Sequence, residues 1–119
     1  MFVYSAFTDR AVDLSHFDEM MIGYFDKEGH KCGYTTADFF ELRACKMVEA
    51  GSVPAWTPLF QTKSYRECSD VLHGLLTLIK KGVTVAEITY KDPEIADYSP
   101  TVREYLTVED ENMQLRDNE

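Results

Sequence analysis

The residues best placed to do chemistry are Asp26, His30 and Cys32, which bring a carboxylate, an imidazole and a thiol within seven positions of the chain. All three residue types are metal ligands in proteins. A structural zinc site, however, usually takes four ligands in two closely spaced pairs, and the sequence supplies no second pair. We therefore predict no metal site, and no motif points to another cofactor.

Cys68 is the best candidate for a nucleophile, because it falls in the first turn of a predicted helix, where the helix dipole lowers the pKa of a thiol. The same helical projection turns Cys68 toward the core with Tyr65 and Leu72. His16 and His73 are expected on the surface. The sequence contains no glycine-rich phosphate loop, no G-x-S-x-G and no H-E-x-x-H. These observations do not exclude an enzyme with unfamiliar spacing, but they favour a non-enzymatic role.

Acidic side chains dominate the charge, since 21 Asp and Glu against 12 Lys and Arg give a formal net charge of −9. This excess repels phosphate backbones and anionic membrane surfaces, so we expect neither direct nucleic-acid binding nor membrane binding. Asp18, Glu19 and Asp26 fall on one side of a predicted helix and form an acidic ridge for a basic protein partner. The alternative is a solvated surface that only keeps the protein soluble.

Trp56, the only tryptophan, lies between Pro54 and Pro58. Residues that precede proline prefer extended geometry, so we expect a stiff loop here. Such a loop either holds the indole against the core or presents it to a partner. Phe39 and Leu42 fall outside the apolar stripe of the preceding predicted helix and would add apolar surface. The predicted interaction residues are therefore Trp56, Phe39 and Leu42 with the three ridge acids.

The elements that position these residues follow from periodicity and capping signals. The clearest is a helix over 65–81, where Ser64 and Glu67 form a capping box ahead of a broad apolar arc. The full predicted order is a strand over 1–7, helices over 16–28 and from about Thr35 to Gly51, the helix over 65–81, a strand over 83–90 and a short helix after Ser99. Residues 20–25 also fit a buried strand, and residues 29–35 also fit a minor strand.

This order predicts an α+β fold, in which a small sheet of two to four strands packs against three helices plus a short C-terminal helix. Residues 1–107 are predicted to be a single globular domain, and residues 108–119 an acidic, disordered tail. Because a sheet with two confident strands is marginal alone, another subunit could supply a strand, and a homodimer through a sheet edge stays open. The absence of a signal-peptide pattern and of paired cysteines favours a cytoplasmic protein.

The leading functional hypothesis is a small acidic protein that acts by binding another protein with a basic surface. Its specific form is an inhibitor or regulator that competes with nucleic acid for that basic site. One alternative is a small-molecule-binding protein or small enzyme with a pocket between the sheet and the helices. A second alternative is a structural homo-oligomer subunit.

Overall fold

The chain folds into two β-sheets and one α-helix, in a computed structural model that describes residues 1–46 and 55–106. Three short 3-10 turns connect these elements. The elements in chain order are β1 Phe2–Ser5, β2 Arg10–Asp13, β3 Glu19–Phe25, β4 Phe39–Lys46, β5 Ala55–Thr62, α1 Tyr65–Lys80, β6 Val85–Asp92 and β7 Asp97–Glu104.

A four-stranded sheet has the strand order β2, β1, β6, β7. β1 pairs antiparallel with β2 and parallel with β6, and β6 pairs antiparallel with β7. The paired residues Val3 and Ala86 are fully buried, whereas Phe2 is half-exposed. Side chains therefore alternate between the core and the outer face, as the pleat of a strand requires.

A three-stranded sheet is an antiparallel meander in the order β3, β4, β5. One row of opposed residues, Ile22, Leu42 and Phe60, belongs to the core. The register of β4 against β5 shifts after Leu42, so that Leu59 has no opposite residue and is itself buried. This bulge lets two consecutive β5 residues, Leu59 and Phe60, enter the core.

The helix α1 contacts both sheets and joins them into one core. It begins at the predicted cap, since the Ser64 side chain accepts a hydrogen bond from the backbone N–H of Glu67. Cys68, Val71 and Leu75 form its buried stripe. Buried residues of the helix and of both sheets belong to a single cluster, which is the arrangement expected when one amphipathic helix covers the inner faces of two small sheets.

Three predicted elements are confirmed: the strand over 1–7, the helix over 65–81 and the strand over 83–90 correspond to β1, α1 and β6. The α+β fold with three helices and a short C-terminal helix is wrong, because the described chain has seven strands and one helix and is mostly β.

The predicted helix over 16–28 is instead β3, and the central part of the helix predicted from Thr35 to Gly51 is β4. Both strands carry apolar residues on two faces, which removes the alternation that identifies a strand and leaves spacings that also fit a helix. Residues 47–51 of the second prediction lie outside the described residues. The alternative of a strand over 20–25 is confirmed, but the strand is not buried, because Gly23 is its one buried residue.

The predicted C-terminal helix after Ser99 is also wrong, since Pro100 lies within β7 rather than at a helix start. β7 is an edge strand, where the missing N–H of proline breaks no ladder. The expected stiff loop around Trp56 is β5, another edge strand, which contains Pro58. Pro54 lies outside the described residues. The minor strand over 29–35 is reduced to an isolated bridge between Lys31 and Phe25.

The edges of the two sheets bear on the predicted sheet-edge dimer. Pro58 and Pro100 lie within edge strands β5 and β7, and the bridge to Lys31 lies along edge strand β3. Proline blunts an edge against strand addition. With seven strands present, the argument that another subunit must complete the sheet no longer applies.

The predicted boundary between a domain over 1–107 and a tail over 108–119 falls outside the described residues and stays a prediction. Across the described ranges, no helix has the length and apolar character needed to span a bilayer.

Candidate interaction surface on the three-stranded sheet

The outer face of the three-stranded sheet, which we call the Trp56 face, is formed by side chains that point away from the core. The cross-strand pairing defines its rows. Its members are Glu19, Met21, Phe25, Phe39, Glu41, Arg43, Cys45, Trp56, Pro58 and Gln61. An outward face of an antiparallel sheet is usually polar and solvated, so this concentration of aromatic side chains is unusual.

Arg43 lies at the centre of the Trp56 face between two aromatic rings. The carbon of its guanidinium lies 4.0 Å from the centroid of the Trp56 ring and 4.8 Å from that of Phe25. Phe25 in turn stacks on Phe39, with ring centroids 5.3 Å apart and an interplanar angle of 16°. These distances are those of cation–π and stacking contacts, which favour a cation held flat against aromatic rings.

Glu41 neutralises the charge of Arg43 through an ion pair. The Nη2 atom of Arg43 donates to Oε1 of Glu41 over 2.9 Å, and the Nε2 atom of Gln61 donates to the other carboxylate oxygen. The side chains of Arg43 and Glu41 are 11% and 5% exposed. Nε of Arg43 is buried and has no hydrogen-bond partner among the described residues. The face therefore holds a nearly dry ion pair with one donor unused.

Gly23 explains how the rings reach this position. A Cβ atom at Gly23 would lie 2.8 Å from Cε2 of Phe25 and 3.5 Å from the guanidinium carbon of Arg43. Only glycine leaves space for the Phe25 ring to fold over the strand toward Arg43. The local sequence Gly23, Tyr24, Phe25 thus places one ring in the core and the next over the outer face.

The two cysteines of this region are buried thiols. Cys45 lies opposite Trp56 on the outer face and is 5% exposed, and desolvation raises the pKa of its thiol. Cys68 is fully buried, and desolvation raises its pKa to about 12. A nucleophilic thiol needs a lowered pKa and access, so Cys68 does not have the properties of a nucleophile.

The predicted apolar interaction residues separate into two groups. Trp56 and Phe39 lie on the outer face, and Trp56 is 51% exposed, so it is presented rather than used to cap the core. Leu42 points to the opposite side of β4 and is fully buried. The prediction for Leu42 assumed a helix, in which it would project away from the apolar stripe; in the strand it is a central core residue.

The predicted acidic ridge is not assembled in the structure. Asp18 and Glu19 lie where β3 begins and Asp26 lies where it has ended, so a strand of about 20 Å separates them. The carboxylate of Asp26 accepts hydrogen bonds from the backbone N–H groups of Glu28 and His30 and thereby stabilises the turn after β3.

The candidate metal ligands are only partly brought together. Oxygen and nitrogen atoms of Asp26, Glu28 and His30 lie within 4.8 Å of one another, and Cys32 is not part of the group. The carboxylate of Asp26 is already engaged by the turn, and His30 is exposed. Exposed turns of this composition are common without a metal, so the group does not define a metal site.

Sequence reasoning missed Phe25, Glu41, Arg43 and Gly23 as parts of the surface. The available signal was that Phe39 and Leu42 did not fit one helical stripe, which is what a strand with two apolar faces produces.

Formal charge is distributed unevenly along the chain. Residues 19–66 contain six acidic and six basic residues, so the entire net charge of −9 comes from the rest of the sequence. At the Phe39 end, the Trp56 face adjoins a groove of about 320 Å³ lined by Lys27, Asp38, Phe39 and Lys63. The Trp56 face is therefore aromatic and close to neutral, although the protein is strongly acidic.

One of the grooves beside α1 that the small-molecule alternative could use contains little chemistry. The groove between α1 and β7 has a volume of about 220 Å³ and is lined by Asp70, Val71, Gly74, Pro100, Thr101 and Val102. Asp70 is its only titratable side chain.

Comparison with known proteins gave no relative: no family model matches the chain, and no curated protein or solved structure resembles it significantly.

Proposed function

We propose that this protein acts by binding another protein through the Trp56 face. The observation that carries the proposal is the Arg43 guanidinium, held between Phe25 and Trp56 above the buried carboxylate of Glu41. Tryptophan and arginine are the residues that most often dominate the binding energy of protein interfaces. Here both are presented on a β-sheet, which is a rigid support.

Pre-organisation is the second argument for binding. Stacking and the ion pair already fix the Arg43 side chain, so binding a partner would not carry the entropic cost of ordering it. The half-exposed Trp56 ring is apolar surface that a partner could cover. Solubility alone does not explain a nearly dry ion pair on the surface. Such a pair stabilises the fold little more than apolar residues of similar volume would.

The uneven distribution of formal charge along the chain favours a partner with a basic surface. A basic partner would be attracted over long range by the acidic remainder of the chain, which raises the rate of encounter. The contact itself would use the neutral aromatic face. Competition with nucleic acid for a basic site gains no support from the acids, since Asp26 is separated from Asp18 and Glu19 by the length of β3.

The experiment is affinity capture from a lysate of the source cells with three tagged proteins: the wild type, Trp56→Ala and Phe2→Ala. Phe2 is 50% exposed on the other sheet and matches the 51% exposure of Trp56. We expect a stoichiometric protein on the wild type and on Phe2→Ala. Its retention on Trp56→Ala should fall at least tenfold, because a hot-spot truncation costs about 2 kcal/mol or more.

Circular dichroism of all three proteins serves as the control for folding. Equal retention by Trp56→Ala and the wild type would contradict the proposal, and so would a partner that Phe2→Ala loses while Trp56→Ala keeps it.

A further inference from the structure

A second surface, which we call the Leu76 groove, lies where the end of α1 meets the segment before and at the start of β3. It has a volume of about 290 Å³. Its lining consists of Leu14, Phe17, Asp18, Glu19, Met20, Leu76 and Ile79. Apart from Glu19, it shares no residue with the Trp56 face. Most of the lining residues are apolar, and two are acidic.

The helix wall of this groove is apolar but does not form part of the buried core. Leu76 and Ile79 are 46% and 44% exposed, whereas Val71 and Leu75 of the same helix are buried. Residues three apart on a helix project in nearly the same direction, so Leu76 and Ile79 form one exposed apolar stripe. The stripe leads directly into Lys80 and Lys81, which are both exposed.

We propose that a second copy of this chain occupies the groove, with Leu76 and Ile79 of each protomer inserted into the groove of the other. The two halves of the contact are complementary in charge as well as in polarity. One half is the helix wall of the groove, Leu76 and Ile79 followed by two lysines, and the other is the opposite wall, which consists of Leu14, Phe17 and Met20 beside the acidic residue Glu19. Because one chain carries both halves, a two-fold axis allows every contact to be made twice.

The size of the surface sets the strength of the dimer. Stable protein interfaces bury about 800 Å² on each partner, and one shallow groove with two inserted side chains provides less. The dimer is therefore weak and concentration-dependent. It differs from the dimer through a sheet edge, because it uses side chains of α1 and leaves the edge strands uncovered.

The first experiment is sedimentation equilibrium of the full chain from roughly 10 μM to 1 mM, the range in which weak specific complexes form. We expect the average mass of the wild type to rise toward that of two chains. Leu76→Asp should keep the mass of one chain, and Ile95→Asp, at a site that is 74% exposed elsewhere on the surface, should behave as the wild type. A wild type that stays monomeric, or a dimer that Leu76→Asp leaves intact, would overturn the proposal.

The second experiment tests the charge pairing and also controls for misfolding. Glu19→Lys alone, and Lys80→Glu with Lys81→Glu, each place like charges across the two-fold axis, so each variant should dimerise at least several-fold more weakly than the wild type. When the two variants are mixed, both contacts of the mixed dimer pair opposite charges. The mixture should recover dimerisation, and a mixture that stays monomeric would contradict the arrangement.

Discussion

Two ion pairs on the outward faces of the two sheets have the same chemistry but different surroundings. Arg43 with Glu41 on the three-stranded sheet and Arg103 with Glu87 on the four-stranded sheet have N–O distances of 2.9 and 3.0 Å. Arg43 is 11% exposed, whereas Arg103 is 62% exposed. The rings of Phe25 and Trp56 flank only the first pair. The difference shows that aromatic side chains pack around Arg43, whereas Arg103 stays largely in contact with water.

The largest expected effect separates these two pairs. Arg43→Met should lower the free energy of unfolding by about 3 kcal/mol, since it leaves the buried charge of Glu41 without a counter-charge. Arg103→Met should lower it by less than about 1 kcal/mol, because Arg103 is largely in water, which screens its attraction to Glu87. Urea unfolding of both variants measures the difference. Similar losses would show that the two pairs are equivalent and that the comparison is wrong.

A smaller effect is expected at Gly23, where an added methyl group must displace the Phe25 ring. Gly23→Ala should destabilise the fold by about 1 to 2 kcal/mol through overpacking and should weaken partner capture by the Trp56 face. Gly33→Ala is the matched control, because a Cβ atom there meets nothing within 4 Å and its φ is not positive. If the two variants unfold at the same urea concentration, the Phe25 ring does not depend on Gly23.

The smallest effect concerns the thiol of Cys45, which lies opposite Trp56. Removing the indole in Trp56→Ala should expose this thiol, so its alkylation should become several-fold faster, because both access and the thiolate fraction increase when burial is relieved. Cys68, in the core, should react at the same slow rate in both proteins. Mass spectrometry of the modified peptides measures both rates, and an unchanged rate at Cys45 would show that the indole does not shield it.

The part of the fold that the sequence predicts correctly is the part with local signals. The helix α1 has a capping box at Ser64 and Glu67 and a broad apolar arc, and both act within a few residues. β1 and β6 follow from dense β-branched and aromatic residues. These signals do not depend on what the rest of the chain does.

The strands β3 and β4 could not be identified for the same reason that the candidate surface exists. Met20, Met21, Tyr24 and Phe25 have helical spacing because the outer face is apolar as well as the inner one. A prediction that assumes one buried face per strand interprets this pattern as a helix. Trp56 and Phe39 were recognised by residue type, but their contact with Arg43 depends on a cross-strand register that no local pattern carries.

The parallel pairing of β1 with β6 has a consequence for the order of folding. Phe2 lies opposite Val85, so this pair closes a loop of most of the described chain, while β3, β4 and β5 pair with near neighbours in sequence. Closing a long loop is entropically unfavourable and slows folding. During synthesis β1 can pair early with β2, but the four-stranded sheet must wait for β6 to emerge, and by then all three strands of the meander that carries the Trp56 face have been made.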